Sequence, residues 1–117
     1  MPSDIALLRL AGALGRHSAE RLSTAAVNVA NADTPGYRAK DIEPFSDAVR
    51  RLREESETMA FRTRTVEKLG AASPNGNTVS LEEEMIRAGA ASRAGEIAAT
   101  LFEKTIAMLR AAGARPR

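Results

Sequence analysis

Apolar and small residues recur at alternating steps of three and four through the first third of the chain, at Leu8, Ala11, Gly15, Ser18, Leu22, Ala25, Val29 and Ala32, with Leu7 and Leu14 widening the stripe. That spacing keeps one face of an α-helix apolar and predicts a long first helix with a heptad seam. Ser3 is placed to cap it, and Asp4 falls in its first turn, where a negative charge suits the helix dipole. A second seam runs through Leu81, Met85, Ala88, Ser92, Gly95, Ala99, Phe102, Ile106 and Leu109. Ser80 followed by Glu83 reads as the capping box that starts this last helix. Ile86, Ala90, Ile97, Leu101 and Met108 add a neighbouring strip, wider than a two-stranded coiled coil needs, so the last helix expects a partner beyond the first.

Between the two seams the pattern changes. Phe45, Val49 and Leu52 share one face of a short helix predicted within 41–53, starting after Pro44. Residues 54–68 keep neither a helical nor a strand period, and 70–77 collect Gly, Ser, Pro and Asn. Together they read as a flexible connector with a short extended piece around 61–66. The expected fold is mainly α, with two long terminal helices in a coiled-coil-like bundle, paired either parallel or antiparallel. Its parts are an N-terminal helix and turn over 1–37, an irregular middle over 38–79 and a heptad helix over 80–117, forming one structural domain.

The first helix ends abruptly. Asn28 and Asn31 compete with the helix for backbone hydrogen bonds, and Pro35 pushes Thr34 towards an extended conformation, so the helix stops near Asn31 or Ala32. Pro35 then Gly36 at the centre of Thr34–Tyr37 predict a type II turn, with positive φ at the glycine. Local chemistry alone makes this a helix stop and a tight turn.

The wording Asn28-Val29-Ala30-Asn31-Ala32-Asp33-Thr34-Pro35-Gly36-Tyr37 closely resembles the N-terminal signature of the bacterial flagellar rod, hook and hook-associated proteins, with Asp33 where that family usually has Asn. Gly76-Asn77-Thr78-Val79-Ser80-Leu81-Glu82-Glu83-Glu84-Met85 resembles the opening of the last helix in the family's short proximal-rod members. The resemblance covers roughly residues 3–50 and 75–112 and leaves the middle unmatched. Ser92 and Gly95 stand where the family tends to carry Gln and Tyr. The resemblance implies a structural subunit of the proximal rod of the flagellar basal body, part of an axial tube that transmits torque and encloses the export channel. It further implies self-association, contacts with other rod and basal-body proteins, and passage through the flagellar export apparatus to the periplasm without a cleaved signal peptide. In that reading Leu8, Leu22, Val29, Met85, Ile97, Phe102, Ile106 and Leu109 are assembly contacts, and Asn31, Thr34, Pro35, Gly36 and Tyr37 set the exit angle of the first helix. For Phe45 and Val49 an amphipathic face is the simpler account, and recognition by the export apparatus the second.

Composition agrees with a slim helical object. The 117 residues are 44% apolar, yet only Tyr37, Phe45, Phe61 and Phe102 are aromatic, too few large rings to fill a wide interior. A net charge of +2, from seventeen basic and fifteen acidic residues, is weak support for nucleic-acid binding. The rival reading, a small basic helical nucleic-acid-binding or adaptor protein, rests on Arg50, Arg51, Arg53, Arg62 and Arg64. Glu54, Glu55 and Glu57 interrupt that group and no aromatic platform joins it. With no cysteine and one histidine, His17, read as solvated or partner-facing, the chain offers no metal-ligand set, and no cofactor motif is present. Glu82, Glu83 and Glu84 point to different faces of a helix and serve its capping and dipole rather than acid-base chemistry. No catalytic residue is assigned. No apolar run is long enough to span a membrane.

Overall fold

The computed structural model describes residues 2–55, 61–68 and 70–114. Helix α1 spans Pro2–Ala30, strand β1 Lys40–Ile42, helix α2 Phe45–Glu55, strand β2 Thr65–Glu67 and helix α3 Leu81–Ala114. The two long helices lie antiparallel. A Cβ built on Gly15 meets the Ala98 side chain at 3.8 Å and one on Gly95 meets Ser18 Oγ at 3.4 Å, so numbering rises along one helix as it falls along the other. The molecule measures 70 × 28 × 15 Å, and its 18.1 Å radius of gyration exceeds the roughly 13 Å of a compact domain of this length.

The pairing seam is built from small residues at seven-residue spacing. Ala11, Ser18 and Ala25 of α1 are buried against Glu84, Ala91, Ala98 and Thr105 of α3. The sequence-based seam is thus right in period but rotated. It included Ala11, Ser18 and Ala25, yet Leu22, Val29, Met85 and Phe102, assigned to it, are exposed. The reason is steric: the mostly small side chains of the seam, Ala or Ser at five of its seven positions and Thr at a sixth, let the axes approach, and that approach disfavours leucine or phenylalanine between them. The two seam hydroxyls satisfy themselves on their own helix, Ser18 donating to Gly15 O at 2.9 Å and Thr105 to Leu101 O at 2.7 Å.

The N-terminal cap also differs from expectation. Pro2 opens α1, where its fixed φ and missing N–H are harmless, which puts Ser3 inside the first turn. At α3 only half of the capping box forms. Ser80 Oγ accepts from Glu83 N at 3.4 Å, but the Glu83 carboxylate turns to Lys68 and Arg87 instead of returning to Ser80.

The middle segment is more ordered than a connector. β1 and β2 pair antiparallel, Lys40 with Glu67, Asp41 with Val66 and Ile42 with Thr65. Residues 56–60 and 69, part of the expected connector, lie outside the described residues. The short helix after Pro44 is α2, which leans on α1 through Phe45: its ring meets His17 edge-on at 5.4 Å and Phe61 at 5.8 Å. His17 is therefore buried rather than solvated, its Nε2 2.7 Å from Glu43 O.

A direct check of the seam follows. Ala98→Leu overpacks it and should lower unfolding stability by about 1–3 kcal/mol. Ile97→Ala, one residue away on the open flank, should change the free chain by less than about 0.5 kcal/mol. Urea titration of both variants by circular dichroism distinguishes this seam from the rotated one.

Candidate functional site: the turn clamp and the open helix flanks

The turn after α1 forms as its residues dictate. Tyr37 N donates to Thr34 O at 3.2 Å, and Gly36 has φ 73°. Gly76, φ 84°, packs against it: a Cβ on Gly76 would meet Gly36 Cα at 3.4 Å, and Gly36 N donates to Asn75 O at 2.9 Å. The Gly- and Asn-rich stretch before α3 is thus strapped across the end of α1. Asn77 is the strap's anchor. Its buried side-chain amide donates to Asn31 O at 2.8 Å and Thr34 O at 2.7 Å, carbonyls that also accept from Thr34 N and Tyr37 N within the turn. Asn31 holds its own end, donating to Val27 O at 2.9 Å and accepting from Thr34 Oγ1 at 3.1 Å. Thr34, Pro35 and Gly36 remain exposed and Tyr37 half-buried.

Asn28 is the second clamp, and the sequence reading assigned it only helix stopping. It is fully buried, its Oδ1 accepting from Tyr37 Oη and Lys40 N, both at 3.1 Å, while its Nδ2 donates to Lys40 O at 2.7 Å. One side chain so joins α1, the turn and the start of β1. The available signal was its place: three residues after Ala25, Asn28 continues the seam, where a polar residue has to find partners.

An ion network braces the same end of the molecule. Asp41 on β1 accepts a hydrogen bond from Arg21 of α1 at 3.3 Å and forms an ion pair with Arg87 of α3 at 3.1 Å. Arg87 also pairs with Glu84, whose other carboxylate oxygen is buried without a hydrogen-bond partner among the described residues, and lies 3.6 Å from Glu83, which pairs with Lys68. Burial, and the Arg87 charge beside it, push the Lys68 ammonium below the ordinary lysine range, against the pull of Glu84 and Asp41. Glu84 is accordingly a seam residue rather than only an N-terminal dipole partner.

Away from the clamp, the long helices are open along both flanks. Leu22 and Val29 are exposed, and Leu8 is half-buried. On α3, Met85 is 74% exposed, Ile97 61% and Phe102 48%, while Ile106 and Leu109 are half-buried. Because the helices run antiparallel, residues turned the same way from the two seams share a face of the pair. Leu8, Leu22, Met85 and Ile106 fall together on one flank; Ile97, with Ile86 and Met108, falls on the other. Ala11, Gly15, Gly95, Ala98, Ala99 and Phe102 line a shallow notch of about 340 Å³ on the first flank, with Glu103 at its rim. Phe45 and Val49 of α2 are half-buried, Phe45 being turned inwards onto His17.

Two paired helices, a clamped turn and a short sheet at one end define a slender helical structural protein. Residues 11–38, most of α1 and the whole turn, match the family described as flagella basal body rod protein. Over 115 residues the chain is 29% identical to the flagellar basal body rod protein FlgB of Agrobacterium fabrum, spanning 85% of this chain and 86% of that protein. The two matches agree with each other: the chain is similar to flagellar basal body rod proteins of the FlgB type, a structural rather than an enzymatic family. The nucleic-acid alternative is not favoured. Within its basic group, Arg50 pairs with Asp47, and Arg51 is held at 2.5 Å by Glu43 and donates to Arg62 O at 2.7 Å. Among the described residues no helix is long and apolar enough to cross a membrane, and no group of acidic and histidine side chains is arranged to hold a metal ion.

Removing the Asn28 side chain strands the Lys40 N–H and C=O and the Tyr37 hydroxyl. Asn28→Ala should destabilise the chain by about 3 kcal/mol, whereas Asn31→Ala, at an exposed site, should cost less than about 1 kcal/mol. Thermal and urea melts of the two variants measure the difference.

Proposed function

We propose that this chain is a subunit of the proximal rod, assembling through α1 and α3 into the axial tube that transmits torque and encloses the export channel. The observation that carries the reading is the combination of a clamped Asp33-Thr34-Pro35-Gly36-Tyr37 turn with two apolar flanks that the described residues do not cover. Exposed Met85, Ile97 and Phe102 are large side chains whose burial by neighbours contributes about 1.5–3 kcal/mol each when complete, enough in a repeated interface to hold a polymer. Leu8, Leu22, Val29, Ile106 and Leu109 extend the same contacts. The turn residues Asn31, Thr34, Pro35, Gly36 and Tyr37 fix where the chain leaves α1, and with it the position of the small sheet and α2 relative to the helical shaft.

Partners in this reading are further copies of the chain, other rod and basal-body proteins, and the flagellar export apparatus that delivers the chain to the periplasm without removing a signal peptide. The inward packing of Phe45 favours a structural role for α2, so export recognition through Phe45 and Val49 requires that face to be presented before folding.

Deletion of the gene should leave cells non-motile, with basal bodies that retain the membrane ring and lack the rod; complete flagella in the deletion strain would overturn the proposal. In complementation, Gly36→Asn should restore swimming better than Gly36→Val. Asparagine visits the left-handed region readily, whereas a β-branched side chain resists it, and even an ordinary residue loses about 1–2 kcal/mol there. Swim-plate diameters of the two strains read the result.

A further inference from the structure

The stretch Pro74-Asn75-Gly76-Asn77 before α3 holds the chain's one Asn-Gly pair; the other asparagines, Asn28, Asn31 and Asn77, precede Val29, Ala32 and Thr78. Glycine leaves the amide nitrogen that follows Asn75 unshielded by a side chain, so the Asn75 carboxamide is open to attack from its own backbone. Asn75 and Gly76 are both exposed, and burial does not protect them. Conformation does. Gly76 N donates to Ser73 O at 2.8 Å, closing a turn with Pro74 and Asn75 at its centre. Among the described residues only Gly36 and Gly76 have positive φ, so Asn75 lacks the left-handed conformation of a type II turn and the turn is type I, with Asn75 ψ near about 0°. Cyclisation needs Asn75 Cβ to eclipse Gly76 N about the Cα–C bond, roughly a third of a turn away from that position. The carboxamide is held as well, its Oδ1 accepting from Ser73 Oγ at 3.0 Å and from Asn77 N at 3.1 Å.

We infer that Asn75 is a site of spontaneous deamidation that the turn clamp keeps closed: it reacts through a cyclic imide while the strap is unfolded and is protected once Gly36 and Asn77 hold the turn. In the open chain the Gly76 nitrogen gives up its proton and attacks Asn75 Cγ; the Cγ–Nδ2 bond breaks and Nδ2 leaves as ammonia. One water then opens the five-membered ring. Breakage at Cγ gives aspartate, whereas breakage at the main-chain carbonyl gives isoaspartate, whose backbone runs through the former side chain and is one carbon longer. That extra length falls where the strap has least room. A Cβ on Gly76 would meet Gly36 Cα at 3.4 Å, and Asn75 O is the acceptor for Gly36 N at 2.9 Å. Isoaspartate at position 75 therefore draws Asn77 away from Asn31 O and Thr34 O. A chain held unfolded accumulates a lesion in the very segment that its clamp needs, and a folded chain does not. The site depends on the turn and the clamp alone, whatever the chain assembles into.

The test uses the purified full chain, incubated in mildly alkaline buffer with and without enough guanidinium chloride to abolish its helical circular dichroism. Peptide mapping by mass spectrometry reads the replacement of the Asn75 amide by a carboxyl group, and an isoaspartyl methyltransferase labels the isoaspartate. Loss of Asn75 should be at least about tenfold faster in guanidinium than in buffer. In guanidinium it should also outpace loss at Asn28, Asn31 and Asn77. Asn77→Ala, which releases the strap and leaves Asn75-Gly76 in place, should speed the loss in buffer and leave the rate in guanidinium unchanged. Should Asn77→Ala lose its helices, the two rates of the parent chain decide alone. After dilution from guanidinium, the isoaspartate-bearing fraction should melt at a lower denaturant concentration than the parent, while Asn75→Asp, with the same charge on an ordinary backbone, should melt close to it. Equal rates in buffer and guanidinium, equal loss at the other asparagines, an Asn77→Ala chain that keeps its helices and the parent's rate in buffer, or an isoaspartate fraction that melts like the parent overturns the inference.

Discussion

The close approach of α1 and α3 governs the arrangement of everything else. Ala11, Ser18 and Ala25 meet Ala91, Ala98 and Thr105 at a line of contact where a methyl group added on Gly95 would already touch Ser18 Oγ, at 3.4 Å. Helices this near to each other bury little area per residue, so the pair draws modest stability from its own seam. The same nearness forces every large apolar side chain to the flanks. A thin shaft with greasy sides results, the opposite of a bundle whose leucines are consumed by its own core.

Such a seam is poor at specifying register, because one alanine resembles the next. The specificity comes from the polar end. Asn28 and Asn77 tie the end of α1 to the two segments that follow it and precede α3, and Asp41 takes one arginine from each helix. Sliding either helix by one turn, about 5.4 Å, would break all of these bonds together. Buried ion pairs add little net stability after desolvation, but breaking one while its partner stays buried is costly, which suits them to fixing one alignment among many similar ones. Glu84 carries this furthest, a carboxylate on the seam with one oxygen on Arg87 and the other without a partner among the described residues.

Much of this was legible in the residues. Period located both long helices, Ser80 located the start of the last, and Pro35-Gly36 located the turn to the residue, because those signals are local. The buried face of α3 lies one position from the expected seam, on Glu84, Ala91, Ala98 and Thr105 rather than Met85, Ser92, Ala99 and Ile106, because only the distance between two axes, a tertiary quantity, decides which residues are admitted. The middle segment was underestimated for a related reason. Asn75, Gly76 and Asn77 look like a loose linker until the carbonyls of Asn31 and Thr34 are brought within reach, and His17 looks like a surface residue until Phe45 closes over it.

A shaft that stores its apolar surface on its flanks couples folding to assembly. Each neighbour that covers a flank binds the folded pair and not the unfolded chain, so it adds to the stability of the helices it touches as well as to the polymer. Stiffness then belongs to the assembly: a torsional load on one subunit is shared through every flank contact, while the clamp at the turn keeps the sheet and α2 at a fixed attitude to the axis. A seam of leucines would make the isolated chain sturdier and the polymer weaker, because the side chains that hold the polymer together would already be spent inside.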